Sequence, residues 1–430
     1  MKKVKNRRWF LWLAVPTAIA GFLGLLSLPF VIDEPPPNDA HLRPVRSEVP
    51  RERNGFFALN LTREEAEALV EKGAGEEEAS EEELEKEREC APFTEGWNLD
   101  LAERILKRKG RLLERFDESL RFPEFQVPEI DQVEMPVPYL MELRDVSQLA
   151  LIRAAVLFDR GNEPGAFHEA FKVVQFGLRL QGAGGPSIHF LVGRSIKAGG
   201  TACITRFIEK TKLDAREVQS VVDSLPAFDD GMWKAALRRE YVIMANAAER
   251  FSRGENLGLD WPPFIPRRPF FKPQQTKRLL AEVFQALIGS PKPMLVAEKR
   301  KLWASALEKV RGPRWVPTNF LGKVVAELMV QPHERSFLDL ATEDFSLFAP
   351  KLLFALKRFQ RDRGALPDSL DELVPSYLKE IPRDPFDGEK LRYDKARKIV
   401  WTVGPDLSFN GNPESEETGI VGGPALRIGF

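Results

Sequence analysis

The sequence predicts a mostly α-helical protein: one N-terminal membrane-spanning helix, an all-α body of helical hairpins, and a small C-terminal α+β module. Three observations carry this. An uncharged apolar stretch follows a basic N-terminus. Apolar residues then recur every three or four positions through the middle, punctuated by Gly and Pro. Near the C-terminus the period shortens to that of strands. The division is a cytoplasmic tail (1–8), a transmembrane helix (9–32), a Pro/Glu-rich linker (33–96), a helical domain (97–333), the module (334–412) and a tail (413–430).

Lys2, Lys3, Lys5, Arg7 and Arg8 precede a stretch without charge from Trp9 to Ile32. As a helix it is about 36 Å long, enough for a hydrocarbon core of about 30 Å. The basic cluster keeps the N-terminus inside, and Asp33 and Glu34 lie beyond the far end. The expected location is therefore a bacterial inner (cytoplasmic) membrane, single-pass, with the C-terminal bulk in the periplasm or outside. A cleaved signal peptide is the other reading, since Ala18-Ile19-Ala20 has a small-x-small form. Both export the rest of the chain.

Over 430 residues, apolar residues make up 43% and charged ones 30%, a balance that supports a packed core. Net charge is −1, so no global field recruits nucleic acid. Thirty Phe against four Tyr point to aromatics used in packing. Cys90 and Cys203 share no spacing motif and read as independent thiols, with pairing open in an oxidising compartment.

Pro35-Pro36-Pro37 and the Glu-dense run from Glu76 to Glu89 read as a solvated tether, or as an acidic arm for a cation or partner. Helices follow. One runs through Leu143, Val146, Leu149 and Ile152 to stop at Gly161; a second runs from Ala166 to near Gly182, with Pro164 in its first turn. Further helices are expected over Ser187–Lys210, Asp214–Leu225, Asp230–Arg253, Gln274–Ile288, Met294–Val310 and Asn319–Val330. Short connections make antiparallel hairpins. Such pairs resemble tetratricopeptide-like units, without a fixed period or that repeat's signature residues. Residues 254–273 interrupt the pattern with five prolines, four large aromatics, Arg267 and Arg268. Such a loop either touches lipid head groups or a partner, or folds back onto its helices.

Phe345, Phe348, Leu352, Leu356 and Phe359 mark an amphipathic helix, bent or restarted at Pro350 and closed by Gly364. Ser369 and Glu372 form a capping box for a short helix. The run from Pro382 to Gly388 is a rigid turn. Leu391–Tyr393 and Ile399–Val403 are two strands of an antiparallel hairpin, and Gly404-Pro405-Asp406 opens a polar loop.

The order long helix, G-x-L-P-x-S-L-x-E-L, P-x-D-P-F-x-G, Tyr strand, G-P-D resembles the globular end of the major pseudopilin of type II secretion systems, over roughly the last fifth of the chain. The resemblance implies a helix packed on a short antiparallel sheet, with calcium ordering the loop after it. Asp406, Ser408 and Asn410 alternate as oxygen ligands that suit a hard cation, with Asp384 a further contributor; a capped turn without metal is the other reading. The chain departs from that family at its N-terminus: Leu26 stands where a glutamate is expected after Gly21-Phe22, and the spanning helix is far from the module. The whole also resembles large membrane-anchored bacterial proteins that carry such a terminus on a helical body.

His41, His168, His189 and His333 have no metal-ligand spacing, and no nucleophile elbow, phosphate loop or dinucleotide fingerprint occurs. His189 reads as a satisfied core residue, and Glu240, after Arg238 and Arg239, as a partner in a structural ion pair. The expected function is a membrane-anchored extracytoplasmic structural or protein-interaction protein beside a secretion or surface-assembly machine, without enzymatic activity. Its partners are the lipid bilayer, through residues 9–32, and other envelope proteins. The alternatives are an envelope enzyme with a site among helices 140–330 and a ligand-binding helical array.

Overall fold

The computed structural model describes residues 32–60, 85–87, 89–255, 270–290, 295–312, 318–405, 407 and 424–430. The predicted transmembrane helix, most of the Glu-dense run, most of the proline-rich loop and most of the polar loop after Pro405 lie outside them. Among the described residues no helix is long and apolar enough to cross a membrane.

The fold is mostly α. In chain order the helices are α1 Phe56–Leu59, α2 Leu99–Arg108, α3 Gly110–Arg121, α4 Tyr139–Asp159, α5 Glu163–Gln181, α6 Ser187–Lys210, α7 Ala215–Ser224, α8 Gly231–Ser252, α9 Pro273–Ile288, α10 Val296–Arg311, α11 Phe320–Val330 and α12 Ser336–Arg363. A three-stranded antiparallel sheet follows: β1 Arg392–Asp394, β2 Ile399–Trp401 and β3 Ala425–Arg427, in that order.

The start and stop signals are where the chain says they are. Asn162 accepts from Gly165 N at 3.1 Å to open α5, with Pro164 in the first turn. Asp214 and Glu217 cap α7 reciprocally. Gly161, at φ +83°, takes the left-handed conformation that ends α4, and Gly364 does the same for α12 at φ +77°. Tyr393 pairs with Val400 in the expected hairpin.

Two apolar cores divide the molecule. The first gathers α1 to α7, the C-terminal half of α12 and the inward residues of the sheet, Leu391, Val400, Leu426 and Ile428. The second is built by α8 to α11 with Phe337 and Leu340 of α12. A smaller cluster of Val296, Ala341, Phe386 and Val403 joins α10 to the turn before the sheet. One helix, α12, therefore contributes to all three. Its middle is buried on every side, Leu347, Ala349, Pro350, Leu352, Leu353, Phe354, Ala355 and Leu356 included, as a helix crossing a core must be.

Several expectations are corrected here. The module does not pack as a separate unit, because its helix and sheet complete the core of the body. Its helix is not restarted at Pro350; it runs on through it for 28 residues. The first part of the stretch expected as a tether, residues 33–60, docks instead: Phe56 is fully buried, Asn54 bonds to Gln126 O at 2.8 Å, and Tyr241 donates to Asp39 at 2.6 Å. The final residues, expected as a tail, supply β3.

Helices α5 and α6 pack backbone to backbone. A methyl group on Gly177 would stand 2.5 Å from the Gly193 carbonyl and the Lys197 nitrogen, so only glycine lets the two backbones approach this far. Between Gly193 and Gly200, α6 turns Lys197 into the interior, where its ammonium pairs with Glu343 of α12 at 5% and 4% exposure. One turn away Arg194 meets Asp339 at 2.9 Å. Removing one partner leaves the other charge buried, so Glu343→Ala is expected to cost about 3–5 kcal/mol. The double variant Lys197→Met/Glu343→Leu should recover most of that in urea denaturation. Equal losses in single and double variants would show that the pair contributes nothing beyond its volume.

Candidate functional site

A cleft of about 430 Å³ opens where the C-terminal end of α6, helix α7, the end of α12 and the last residue of the chain meet. Lys212, Lys357, Arg358 and Arg361 stand around it, and Leu213, Ala215, Val218, Phe354 and Phe430 form its apolar surfaces. Among the described residues, no acidic side chain lines it.

Each cation is placed by the fold. Lys357 donates to the carbonyls of Ile208, Glu209 and Thr211 at 2.6, 3.1 and 3.2 Å, closing the C-terminus of α6 with a positive charge where the helix dipole favours one. Burial pushes its pKa down, opposed by Glu163 and Glu209. Its ammonium also sits 5.9 Å from the Phe430 ring. Arg358 lies over the rings of Phe354 and Tyr377 and donates to Gln219 at 3.2 Å. Lys212 and Arg361 are exposed. Two of these cations are thus spent on structure, and Lys212 and Arg361, the latter paired with Asp362 at 3.4 Å, stand at the rim of an apolar slot.

The remaining buried polar groups are enclosed between helices. The Tyr139 hydroxyl lies 2.7 Å from His189 Nε2, and Gly185 backs onto the same imidazole. Burial pushes His189 down to about 4, so it is neutral near pH 7. Glu240 accepts from both the nitrogen and hydroxyl of Ser187 at 3.0 and 2.6 Å, capping α6 from α8. The expected ion-pair partners of Glu240 are engaged otherwise: Arg239 reaches Glu129, and Arg238 donates to the Lys234 carbonyl. His333 is pushed down by burial, with Glu240 acting against the shift. Asp344, half-buried facing Lys299, is pushed up to about 6 by burial. His41 and His168 are exposed on different elements. Both cysteines are buried free thiols, and burial raises the Cys203 pKa.

Of the expected calcium ligands, Asp406, Ser408 and Asn410 lie outside the described residues. Asp384 is fully buried and anchors the turn before the sheet. Its Oδ1 accepts from Phe386 N at 2.8 Å, and its Oδ2 accepts from Val403 N and from Arg392, both at 2.8 Å. Burial raises its pKa while these donors act in the opposite direction. In this arrangement Asp384 is held by the Arg392 guanidinium and two backbone donors. Among the described residues no group of three or more His, Cys, Asp or Glu is placed to hold a metal.

The basic cleft has no signature in the sequence. Lys212 is far from Lys357 and Arg361 along the chain, and only the packing of α7 on α12 joins them. Taken locally, Arg358 and Arg361 are charges that suit the C-terminal end of a helix.

The pH response follows from two of these groups. His189, lowered in the fold from 6.5, binds its proton first in the unfolded chain, so stability is lost as pH falls from about 6.5 to 4. Asp344, raised from 3.8, holds its proton longer in the fold, so stability is lost as pH rises from about 4 to 6. His189→Gln should flatten the acid limb of a Tm–pH profile, and Asp344→Asn should remove the decline on the rising limb. Unchanged profiles in both variants would contradict these environments.

Comparison with protein-family models, with curated proteins and with solved structures found no match to this chain.

Proposed function

We propose that the chain is a membrane-anchored, extracytoplasmic protein-interaction protein, and that the cleft between α7 and α12 receives an acidic segment of another envelope protein. The observation that carries the binding reading is the cleft: cations around apolar surfaces, with no acidic side chain among the described residues that line it. An acidic residue next to an apolar anchor complements both features, with rim charges steering the encounter and the slot giving affinity. His189, His333 and the Lys197–Glu343 pair are enclosed between helices, where a packing role accounts for them.

The anchor is residues 9–32, with Lys2 to Arg8 retained inside. The resemblance of the C-terminal fifth to a pseudopilin module supports a place beside a secretion or surface-assembly machine. The antiparallel sheet against the C-terminal half of α12 is compatible with that resemblance, although the helix also completes the core of the body.

A photo-crosslinking amino acid at Gln360, in the full chain expressed in intact cells, should capture discrete partners. One at Arg121, on the exposed end of α3, should not. Lys212→Glu with Arg361→Glu should reduce capture at Gln360 by about tenfold, which corresponds to about 1.4 kcal/mol. Capture that is indifferent to the charge reversal would remove the cleft as the binding site.

A further inference from the structure

The outward side of α11 is apolar. Its exposed residues are Phe320 (61%), Val324 (36%) and Leu328 (56%). Successive steps of four residues keep all three within about 80° of arc and about 12 Å of helix length. The inward side is apolar too, with Val325, Ala326 and Val330 buried. Polar residues occupy only the flanks, where Glu327 pairs with Arg311 at 2.7 Å. Phe270, 40% exposed, adjoins this face through its carbonyl, which accepts from Leu321 N at 2.9 Å. A surface helix ordinarily presents polar residues to water, so a continuous apolar strip calls for a covering phase.

The chain itself says which. Ile32 ends the uncharged run from Trp9 and is 59% exposed. Its carbonyl accepts from Lys272 Nζ at 2.9 Å, and Lys272 N donates to Asn319 Oδ1 at 2.7 Å. Asn319 immediately precedes Phe320. The exit of the apolar segment therefore lies two hydrogen-bonded steps from the start of α11. The next residues fasten it: the Asp33 carboxylate accepts from Gln274 N and Gln275 N at 2.9 and 3.2 Å, capping α9, and Glu34 pairs with Arg278 at 2.6 Å. Such a joint leaves no slack between the point where the chain leaves a bilayer and the body.

We infer that the strip Phe320, Val324 and Leu328, with Phe270, beds into the outer leaflet at the boundary of head groups and acyl chains, holding the body against the membrane. This rests on the anchor reading above. An interfacial helix of this kind contributes through its buried apolar side while Arg311, Glu327 and Lys323 stay at head-group level.

The test is site-directed spin labelling of the full chain in phosphatidylethanolamine/phosphatidylglycerol vesicles. Nitroxides are placed by Phe320→Cys, Val324→Cys, Leu328→Cys, Ala20→Cys and Arg121→Cys; Cys90 and Cys203 are buried, so the introduced thiol takes the label. Collisions with oxygen should exceed those with a nickel chelate severalfold at positions 20, 320, 324 and 328, and the ratio should invert at 121. Val324→Glu, with helicity unchanged, should move labels at 320 and 328 into the nickel-accessible range. Nickel access at all three α11 positions with position 20 in lipid overturns the inference and leaves the anchor standing. Labels shielded from both reagents would mean that a second copy or residues 9–31 cover the strip, which also overturns it. Position 20 in water removes anchor and inference together.

Discussion

The molecule depends on where α12 sits, and α12 is fixed by two ionic contacts with α6. Arg194 and Lys197, three residues apart, meet Asp339 and Glu343, four residues apart, so adjacent turns of both helices are matched. Apolar side chains alone tolerate a shift of one helix along another, because oil-like contacts re-form; a buried ammonium does not, because an unpaired charge in the interior is costly. The glycines of α5 and α6 make room for this arrangement by letting the backbones close to contact distance. With α12 set, its N-terminal half completes the core of α8 to α11, and its C-terminal half completes that of α1 to α7 and the sheet.

That dependence explains which parts of the fold were legible in the sequence. Helix periods and their punctuation are local, so α6 through α11 were placed to within one or two residues, the stops of α4 and α5 were marked by Gly161 and Gly182, and Gly364 and the Ser369–Glu372 box were legible too. The sharing of one core between body and terminus is not local. Phe345 and Leu352 look the same whether they face their own sheet or another domain. Pro350 suggested a break, yet packing on all sides keeps the helix whole. The segment after the apolar run carries five prolines up to Pro50 and no periodicity, and it reads as a spacer. It docks through single polar groups, Asp33, Asp39 and Asn54, each satisfying a specific donor on the body. The strand near Leu426 is three residues long, too short for alternation to stand out from a tail.

The candidate site was less legible than the fold. Its cations come from two distant segments, and two of them are held by carbonyls or rings that only the tertiary structure supplies. Motif reading found no chemistry. The buried His189 and His333, the Lys197–Glu343 pair and the capping role of Glu240 each have a structural account in the packing of the helices. The oxygen-rich loop carrying Asp406, Ser408 and Asn410 lies outside the described residues, whereas Asp384 anchors a turn whose donors satisfy it from within.

Among the described residues, α12 joins two apolar cores, with an apolar strip on α11 and a basic slot between α7 and α12. The measurement that bears most directly on this account is native-state amide hydrogen exchange along a denaturant series. If α12 unites the cores, amides of α6, of both halves of α12 and of β2 share the highest opening free energy and lose protection together. Independent opening of the sheet and the C-terminal half of α12, at denaturant concentrations that leave α4 to α6 protected, would contradict it.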